Sequence, residues 1–468
     1  MASQPLFFKN LSEVAEMIRR GETTSVTVTR DILDRITTVD PHFQSYIHVC
    51  RDRALDRAGA ADAEMGNGIF RGPLHGIPIA VKDLCYTTFA PTRAGTTIYK
   101  DFVPFYNATV VDRLETAGAI ILGKLTMTEG AYTGHHPDIP TPPNPWNADY
   151  WVGTSSTGSG VATSAGLCFA SLGSDTGGSI RYPCATCGLT GIKPTWGRVS
   201  RHGVFALADS LDHIGPMARS AADCAAILQV IAGWDALDPT SIDTPVPDYV
   251  AEVGKGVRDM RIGIDRSYAF GGVDLQVAKA LERAIDVLEG LGARVVNVTM
   301  PDYDELVAAW IMMCAIETAV AHQDTYPDRA SEYGPALAQL IDEGHATTGT
   351  EAARGHHLRI AFTQALATMF GEVDCMLCPT MPKLTPSLAD MSDYGDDPSV
   401  LQAIMRFTAP FDFSGSPTIT LPNGSDTAGM PMSMQIVGAH FGECAIIRAA
   451  AAYQSATDWH TRHPDIID

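Results

Sequence analysis

The 468-residue sequence lacks the long apolar runs, basic runs and dense cysteines that mark membrane, nucleic-acid-binding and disulfide-stapled proteins. No apolar stretch reaches about 18 residues, the length of a membrane-spanning helix, and the first residues, MASQPLFFKN, contain no basic segment followed by an apolar one. The formal net charge is −21, and no run of Lys or Arg could follow a phosphate backbone. We therefore predict a cytoplasmic, globular protein that binds neither nucleic acid nor a membrane.

The ten cysteines are too sparse for a disulfide framework, and most of them stand in apolar segments such as GLCFASLG. Free cysteine is among the residues most often buried, which favours reduced thiols in the core. Two pairs with C-x-x-C spacing, Cys184/Cys187 and Cys375/Cys378, keep zinc as an alternative. Zinc modules usually place their two pairs about 15–20 residues apart, whereas these pairs lie in distant parts of the chain. We predict no metal and no cofactor.

The sequence does contain an alternation of short apolar runs with helical patterns. The segment GIPIAVKD at 76–83 is a β-branched run opened by glycine and proline, which predicts a buried strand ending at Lys82. Helix, glycine and strand patterns follow one another at 108–124, and strand, helix and strand patterns at 260–299. Such alternation is typical of a layered α/β fold with a largely parallel or mixed sheet.

The stretch GTSSTGSG at 153–160 begins like a phosphate-binding loop. Gly153 and Gly158 have the required spacing, but Ser159 occupies the position of the lysine that reaches the outer phosphates. A non-catalytic nucleotide-binding protein stays an alternative, although it would lack this ammonium group. The serines and threonines of the loop need another explanation.

A helix of small residues and an apolar strand are predicted to lead from this loop into a second glycine-rich turn, GSDTGGSIR at 173–181. Backbone N–H groups converge in such a turn and suit an anion or a developing oxyanion. The candidate donors are the amides of Thr176, Gly177, Gly178 and Ser179. A serine in this turn would need a base to become a nucleophile, and no histidine has a comparable glycine-rich or strand-end setting. The G-x-S-x-G elbow of α/β-hydrolases is not matched either. Lys82 is the other candidate, because burial at the end of a strand lowers the pKa of an ammonium group.

Together, GIPIAVKDL, GTSSTGSG and GSDTGGSIRYPCATCGLTGIKPTWGRVS resemble the amidase signature family. Later segments such as LCPTMP and PFDFSGSPTITLPNG extend the resemblance over nearly the whole chain. The resemblance implies an amide hydrolase that forms an acyl-enzyme through a serine, a second serine in a cis peptide, and a lysine. Carried over by motif, Ser179 is the nucleophile, Ser155 the relay serine and Lys82 the base. The cis bond would lie between Thr154 and Ser155.

The resemblance also implies the architecture. We expect a single α/β domain over residues 1–468, with a central mixed β-sheet covered by helices on both faces. Residues 1–65 would form a helical N-terminal segment packed on this core. Apolar spacing within that segment predicts helices that end at Gly21 and Pro41.

Further residues enter through the resemblance with secondary roles. Ser156 would add a hydrogen bond to the relay, and Asp175 and Arg181 would brace the turn around the nucleophile. Tyr132 and Thr133 follow a segment that often borders the substrate cleft in the family, which makes them candidate pocket residues.

Two functions of the family compete for this chain. The glutaminase A-type subunit of a tRNA-dependent amidotransferase must recognise the charged head of glutamine, and its acidic residue falls on Met405 here, a further candidate pocket residue. A methionine cannot pair with an ammonium group, so we favour hydrolysis of uncharged aryl or alkyl amides, with carbamates (urethanes) and esters as further substrates. The partner is then a small-molecule amide or carbamate, and a homo-oligomer stays open. The Met-rich segments at 308–317, 376–382 and 430–435 either belong to the core or line an apolar pocket.

Overall fold

A mixed sheet of eleven strands organises the part of the chain that the computed structural model describes, residues 5–394 and 398–466. The strands follow one another across the sheet in the order β1-β3-β2-β4-β6-β5-β10-β11-β9-β7-β8. In chain order they are β1 (Tyr46–Val49), β2 (Pro78–Lys82), β3 (Ile120–Leu125), β4 (Ala170–Asp175), β5 (Thr190–Lys193), β6 (His213–Ala218), β7 (Arg261–Ile264), β8 (Arg294–Asn297), β9 (Cys375–Pro379), β10 (Thr418–Ser425) and β11 (Pro431–Val437).

Helices connect and flank these strands. Within the described residues they are α1 (Leu11–Arg19), α2 (Ser25–Phe43), α3 (Arg51–Gly66), α4 (Thr109–Thr116), α5 (Thr157–Ser164), α6 (Arg181–Cys187), α7 (Ala221–Ile231), α8 (Arg266–Phe270), α9 (Leu275–Gly290), α10 (Leu306–Ala321), α11 (Pro335–Ala346), α12 (Gly349–Met369), α13 (Leu388–Tyr394), α14 (Pro398–Met405), α15 (Ala409–Phe413) and α16 (Glu443–Ser455). The α/β class, the single domain and the mixed sheet are as predicted.

The burial of the central strands explains why their sequences are continuous apolar runs. Strands β2, β3 and β4 are buried along their whole length, whereas the edge strands β1 and β8 are partly exposed. A strand covered on both faces has no solvent side on which polar residues could alternate. The predicted strand at 76–83 and the helix and strand at 108–124 are confirmed as β2, α4 and β3.

The N-terminal segment contributes a strand as well as helices. Strand β1 lies between α2 and α3 and pairs antiparallel with β3 at the edge of the sheet. Helix α2 runs through Pro41 and ends at Phe43, so the predicted end at Pro41 was wrong. Proline in the last turn removes one backbone donor, and Gln44, with a φ of 51°, closes the helix in the left-handed conformation.

The centre of the sheet brings two chemically distinctive strand ends together. Strand β2 is parallel to its neighbours β3 and β4, so the carboxyl ends of these strands meet at one edge. Lys82 ends β2, and Ser174 and Asp175 end β4. This edge positions the site described below.

No helix in the described ranges is long and apolar enough to cross a membrane. The same ranges contain no group of three or more His, Cys, Asp or Glu side chains placed to hold a metal ion. Cys184 and Cys187 lie on helix α6, and Cys375 and Cys378 lie on strand β9, all of them buried.

Candidate active site

Lys82 is a fully buried lysine whose ammonium nitrogen is surrounded by serine hydroxyls. Its Nζ lies 2.7 Å from Ser155 Oγ, 3.0 Å from Ser156 Oγ and 2.8 Å from Ser174 Oγ. Burial lowers the pKa of Lys82 to about 7, although the carboxyl groups of Asp175 and Asp212 oppose this shift. The amine can therefore lose and regain a proton near neutral pH.

The carboxyl group next to Lys82 in sequence does not neutralise it. Asp83 follows the last residue of β2, and its Oδ1 lies 3.1 Å from the Nζ of Lys124, on strand β3. Lys124 also donates a 2.7 Å hydrogen bond to Thr92. Pairing of Asp83 with Lys124 leaves Lys82 with hydroxyl groups as its hydrogen-bond partners, which favours a neutral amine.

The loop at 153–160 brings Ser155 and Ser156 to Lys82. The predicted cis peptide bond between Thr154 and Ser155 is confirmed. Ser156 Oγ donates a 3.1 Å hydrogen bond to the carbonyl of Ser174 and accepts one of 3.3 Å from the N–H of the same residue. A Cβ atom at Gly158 would lie 2.5 Å from the carbonyl oxygen of Ser45, so glycine is needed here for close backbone packing. Close packing therefore explains why residue 158 is glycine, without a role for this residue in phosphate binding.

Ser174 is a site residue that sequence reasoning missed. It belongs to strand β4, at the start of the segment GSDTGGSIR, and no feature of the sequence singled it out. The pairing of β4 with β2, in which Val81 lies opposite Leu172, carries Ser174 alongside Lys82. Only the strand order supplies this information.

Ser179 belongs to the glycine-rich turn after β4 and lies at the wall of a cavity. Its hydroxyl has no hydrogen-bond partner among the described residues, so Ser155 Oγ and Ser179 Oγ are not bonded to each other. The backbone joins the two loops, because the N–H of Ser156 donates a 3.3 Å hydrogen bond to the carbonyl of Ser179. Lys82, Ser155 and Ser179 are thus brought to one region, with Ser179 on the cavity side.

Asp175 shapes the turn by accepting hydrogen bonds from its backbone. One carboxylate oxygen accepts from the N–H of Gly178 at 2.6 Å, and the other from the N–H of Ile180 at 3.0 Å. The N–H of Gly178, one of the predicted oxyanion donors, is therefore already engaged by a carboxylate. The amides of Thr176, Gly177 and Ser179 have no acceptor within the part of the chain described.

A buried ion network holds Asp175 in place. Arg181 donates to Asp175 through Nε at 3.0 Å and Nη2 at 2.9 Å, and its guanidinium also binds Asp412. Burial alone would raise the pKa of Asp175, but the charge of Arg181 holds that pKa below its ordinary range. Burial raises the pKa of Asp412 well above its usual value. Asp175 and Arg181 occupy the bracing positions that the sequence predicted.

The cavity beside Ser179 has a volume of about 440 Å³. Its lining, taken over the described residues, contains no Asp, Glu, Lys or Arg. Burial lowers the pKa of His135, which lines the cavity, to about 4, so this imidazole is uncharged at neutral pH. The wall that the cavity presents to a bound ligand is therefore uncharged and largely apolar.

Several polar side chains at or near the wall are already bonded to protein. Thr154 Oγ1 donates to the carbonyl of Tyr132 at 3.2 Å, and the hydroxyls of Tyr182 and Thr408 are 2.6 Å apart. The indole N–H of Trp310 donates to the carbonyl of Thr176 at 2.7 Å. These groups therefore add little polarity to the cavity.

The predicted pocket residues Tyr132, Thr133 and Met405 all line this cavity. Of the three Met-rich segments, the one at 308–317 contributes Trp310 to the wall. The segments at 376–382 and 430–435 fall largely on strands β9 and β11, whose residues are buried in the sheet. Apolar spacing alone did not separate wall from core, because both environments favour the same residue types.

Comparisons with known proteins agree over nearly the whole chain. A family model described as Amidase matches residues 27–447. AmiD, a protein of Mycobacterium tuberculosis named as an amidase, is 49% identical over 456 residues, which cover 97% of this chain and 96% of that protein. The A-type subunit of glutamyl-tRNA(Gln) amidotransferase from Geobacter metallireducens is 37% identical over 487 residues, covering 98% of this chain and 100% of that protein. Among solved structures, a peptide amidase in complex with chymostatin superimposes with a TM-score of 0.85 at 29% identity, covering 98% and 99% of the two chains.

Proposed function

The chain belongs to the amidase signature family of C–N hydrolases, and on this premise we propose that it hydrolyses uncharged aryl or alkyl amides as a self-sufficient cytoplasmic enzyme. Carbamates and esters are further substrates in this proposal, because their carbonyl groups accept the same nucleophile. The enzyme would act without a metal, a cofactor or a partner chain.

The observation that carries the substrate class is the uncharged cavity next to Ser179. A buried charge on a substrate must be paired, and the described lining offers no opposite charge for either an ammonium or a carboxylate group. Aromatic and aliphatic walls, including Trp310, Tyr182 and Met405, instead favour apolar groups on the acyl or amine side of the substrate.

The proposed reaction begins with proton transfer toward Lys82. Neutral Lys82 accepts the proton of Ser155, which is 2.7 Å away, and Ser155 accepts the proton of Ser179 after rotation of a hydroxyl toward it. Ser179 Oγ then bonds to the substrate carbonyl carbon, and the carbonyl oxygen becomes an oxyanion. The free amides of Thr176, Gly177 and Ser179 are the candidate donors to this oxygen.

Collapse of this intermediate breaks the C–N bond. Ser155 gives a proton to the leaving nitrogen and regains one from Lys82, so that the amine departs neutral, Lys82 is again uncharged and the acyl group stays on Ser179. Water, deprotonated through the same relay, then attacks the ester and releases the carboxylic acid. Ser156 and Ser174 hold Lys82 in place throughout through their hydroxyl groups.

We expect kcat/KM to rise with pH and to level off above a midpoint near 7. Lys82 can accept a proton only when neutral, and burial lowers its pKa to about 7, so the fraction of active base grows as pH increases through that value. The measurement is hydrolysis of an acyl 4-nitroanilide, which carries no titrating group, from about pH 5 to about pH 9. Preincubation at each pH followed by assay at one pH controls for unfolding. A profile that falls as pH rises through this midpoint would contradict Lys82 as the base.

The substrate class is tested by release of 4-nitroaniline from a short apolar acyl anilide, with the isolated chain as the only protein. We expect turnover by the wild type, because the uncharged cavity accepts both the acyl and the aryl group. A carbamate and an ester of the same aryl group extend the measurement. Absence of turnover on every member of this panel would contradict the proposal.

The glutaminase subunit is the second candidate, because the amidotransferase relative aligns over 98% of this chain. Glutamine carries both an ammonium and a carboxylate group, and the described lining provides no counter-charge for either. Release of ammonia from glutamine by the same preparation is therefore expected to be far slower than anilide hydrolysis. The reverse order of rates would favour the amidotransferase function.

A further inference from the structure

A tryptophan from a distant helix is bonded to the turn that precedes Ser179. The indole N–H of Trp310, on α10, donates a buried 2.7 Å hydrogen bond to the carbonyl oxygen of Thr176. We propose that Trp310 is a positioning residue of the oxyanion hole and that it acts by fixing the direction of the Gly177 N–H. This inference rests on the proposed function of the site.

The first step of the argument is the geometry of the peptide unit. The bond between Thr176 and Gly177 is trans, since the cis bonds within the described residues lie elsewhere. In a planar trans peptide the C=O and N–H groups point in opposite directions. The bond to Trp310 therefore fixes the Thr176 carbonyl and, with it, the line along which the Gly177 N–H points.

The second step is packing, which limits any rotation of this peptide. A Cβ atom at Gly177 would lie 2.5 Å from Cζ2 of Trp310 and 3.0 Å from Cε of Met405, so both side chains press directly on the turn. On its other side, Thr176 is anchored through its hydroxyl, which donates a 2.6 Å hydrogen bond to Asp212. The peptide is thus held through the side chain of Thr176 and through its carbonyl.

The third step concerns the number of donors that remain. The N–H of Gly178 is bonded to Asp175. Fewer backbone amides are therefore free to bind an oxyanion than the glycine-rich sequence predicted. The Gly177 N–H has no acceptor within the described part of the chain. Each remaining donor therefore matters more, and a donor acts only if it is directed before the charge develops.

Replacement of Trp310 by phenylalanine removes the indole N–H. Loss of one oxyanion-hole donor lowers kcat by about 10²–10³-fold, and misdirection of a donor that is still present should have a smaller effect, about 10–100-fold. We expect this loss in kcat, whereas a change in KM would report the ring volume that phenylalanine lacks at the cavity wall.

A second variant separates the lost N–H from the lost ring volume, because phenylalanine is smaller than tryptophan and Trp310 also lines the cavity. Site-specific incorporation of 3-benzothienylalanine at position 310 keeps the shape of the bicyclic ring and replaces the N–H by sulfur. We expect the same loss in kcat from this variant as from Trp310→Phe.

A transition-state analogue gives a readout that a purely structural role would not change. An apolar trifluoromethyl ketone adds to Ser179 and places an oxyanion in the hole, whereas the corresponding secondary alcohol has no carbonyl group for Ser179 to attack and binds as a ground-state ligand. Affinity for the ketone should fall by the same factor as kcat/KM in both variants, and affinity of the benzothienylalanine variant for the alcohol should stay near that of the wild type.

Trp146→Phe is the matched control. Its indole N–H also donates to a backbone carbonyl, that of Cys187, at 2.9 Å, but this tryptophan does not line the cavity. We expect Trp146→Phe to keep wild-type kcat and ketone affinity. Wild-type kcat and ketone affinity in the benzothienylalanine variant would overturn the role of Trp310, even if Trp310→Phe were impaired. Inactivity of the wild type itself would instead contradict the proposed function.

Discussion

Replacing Ser179 by alanine is expected to lower kcat/KM for anilide hydrolysis by at least about 10⁴-fold, because no other group can form the acyl-enzyme. The residual rate would reflect binding and the oxyanion donors alone. Ser179 Oγ has no hydrogen-bond partner among the described residues, so its removal leaves no buried group unpaired. The free energy of unfolding should change by less than about 1 kcal/mol, as measured by urea denaturation.

Ser164→Ala provides the control for loss of a buried hydroxyl. Ser164 is on helix α5, in the same segment as the relay loop, and its hydroxyl donates a 2.8 Å hydrogen bond to the carbonyl of Cys187 rather than to Lys82. This variant should lose about 1 kcal/mol of stability while keeping the wild-type kcat/KM. Near-wild-type turnover by Ser179→Ala, with correct mass and fold, would contradict Ser179 as the nucleophile.

Replacing Lys82 by methionine is expected to lower kcat/KM by about 10³–10⁵-fold and to remove the rise in activity near pH 7. Methionine keeps most of the length and volume of the side chain but cannot accept a proton. The hydroxyls of Ser155 and Ser174 would lose their partner, so we expect some loss of stability as well. The pH profile distinguishes the two effects, because a protein that is only destabilised keeps its midpoint.

Lys82→Arg separates charge from basicity. A guanidinium group can donate to the serines but does not deprotonate near neutral pH, so this variant should be as inactive as Lys82→Met. Lys193 offers a matched control, since it is also fully buried and burial lowers its pKa to about 8, but its Nζ binds the carbonyl of Ser416. Lys193→Met should lose stability and keep the rise in activity near pH 7. Retention of that rise in Lys82→Met would exclude Lys82 as the titrating base.

The sequence by itself determined much of the fold. Strand β2 was predicted because a strand buried on both faces favours a run of mainly apolar and β-branched residues, and the segment at 76–83 contains such a run. The end of helix α2 was not predicted, because a single proline in the last turn costs less free energy than the packing of the whole helix contributes. Local preference fixes the type of an element, and tertiary contacts fix where it ends.

The sequence also determined the candidate chemistry, because motif spacing is a local property. Residue type and order pointed to the turn GSDTGGSIR and to Lys82, and the resemblance to the amidase signature family implied the roles of Ser155 and Ser179. Tertiary structure decided what the same residues can do. It placed Ser174 beside Lys82 through strand pairing and bonded the N–H of Gly178 to Asp175.

Tertiary structure alone decided the character of the cavity and of its oxyanion turn. Trp310 and Met405 press on the same turn although they lie far from it in sequence. Which side chains meet across such distances depends on strand order and helix packing, and these follow from the free energy of the whole chain rather than from any segment. The reactive side chains therefore lie in short sequence motifs. The uncharged wall of the cavity and the direction of each backbone N–H donor form only when distant segments pack together.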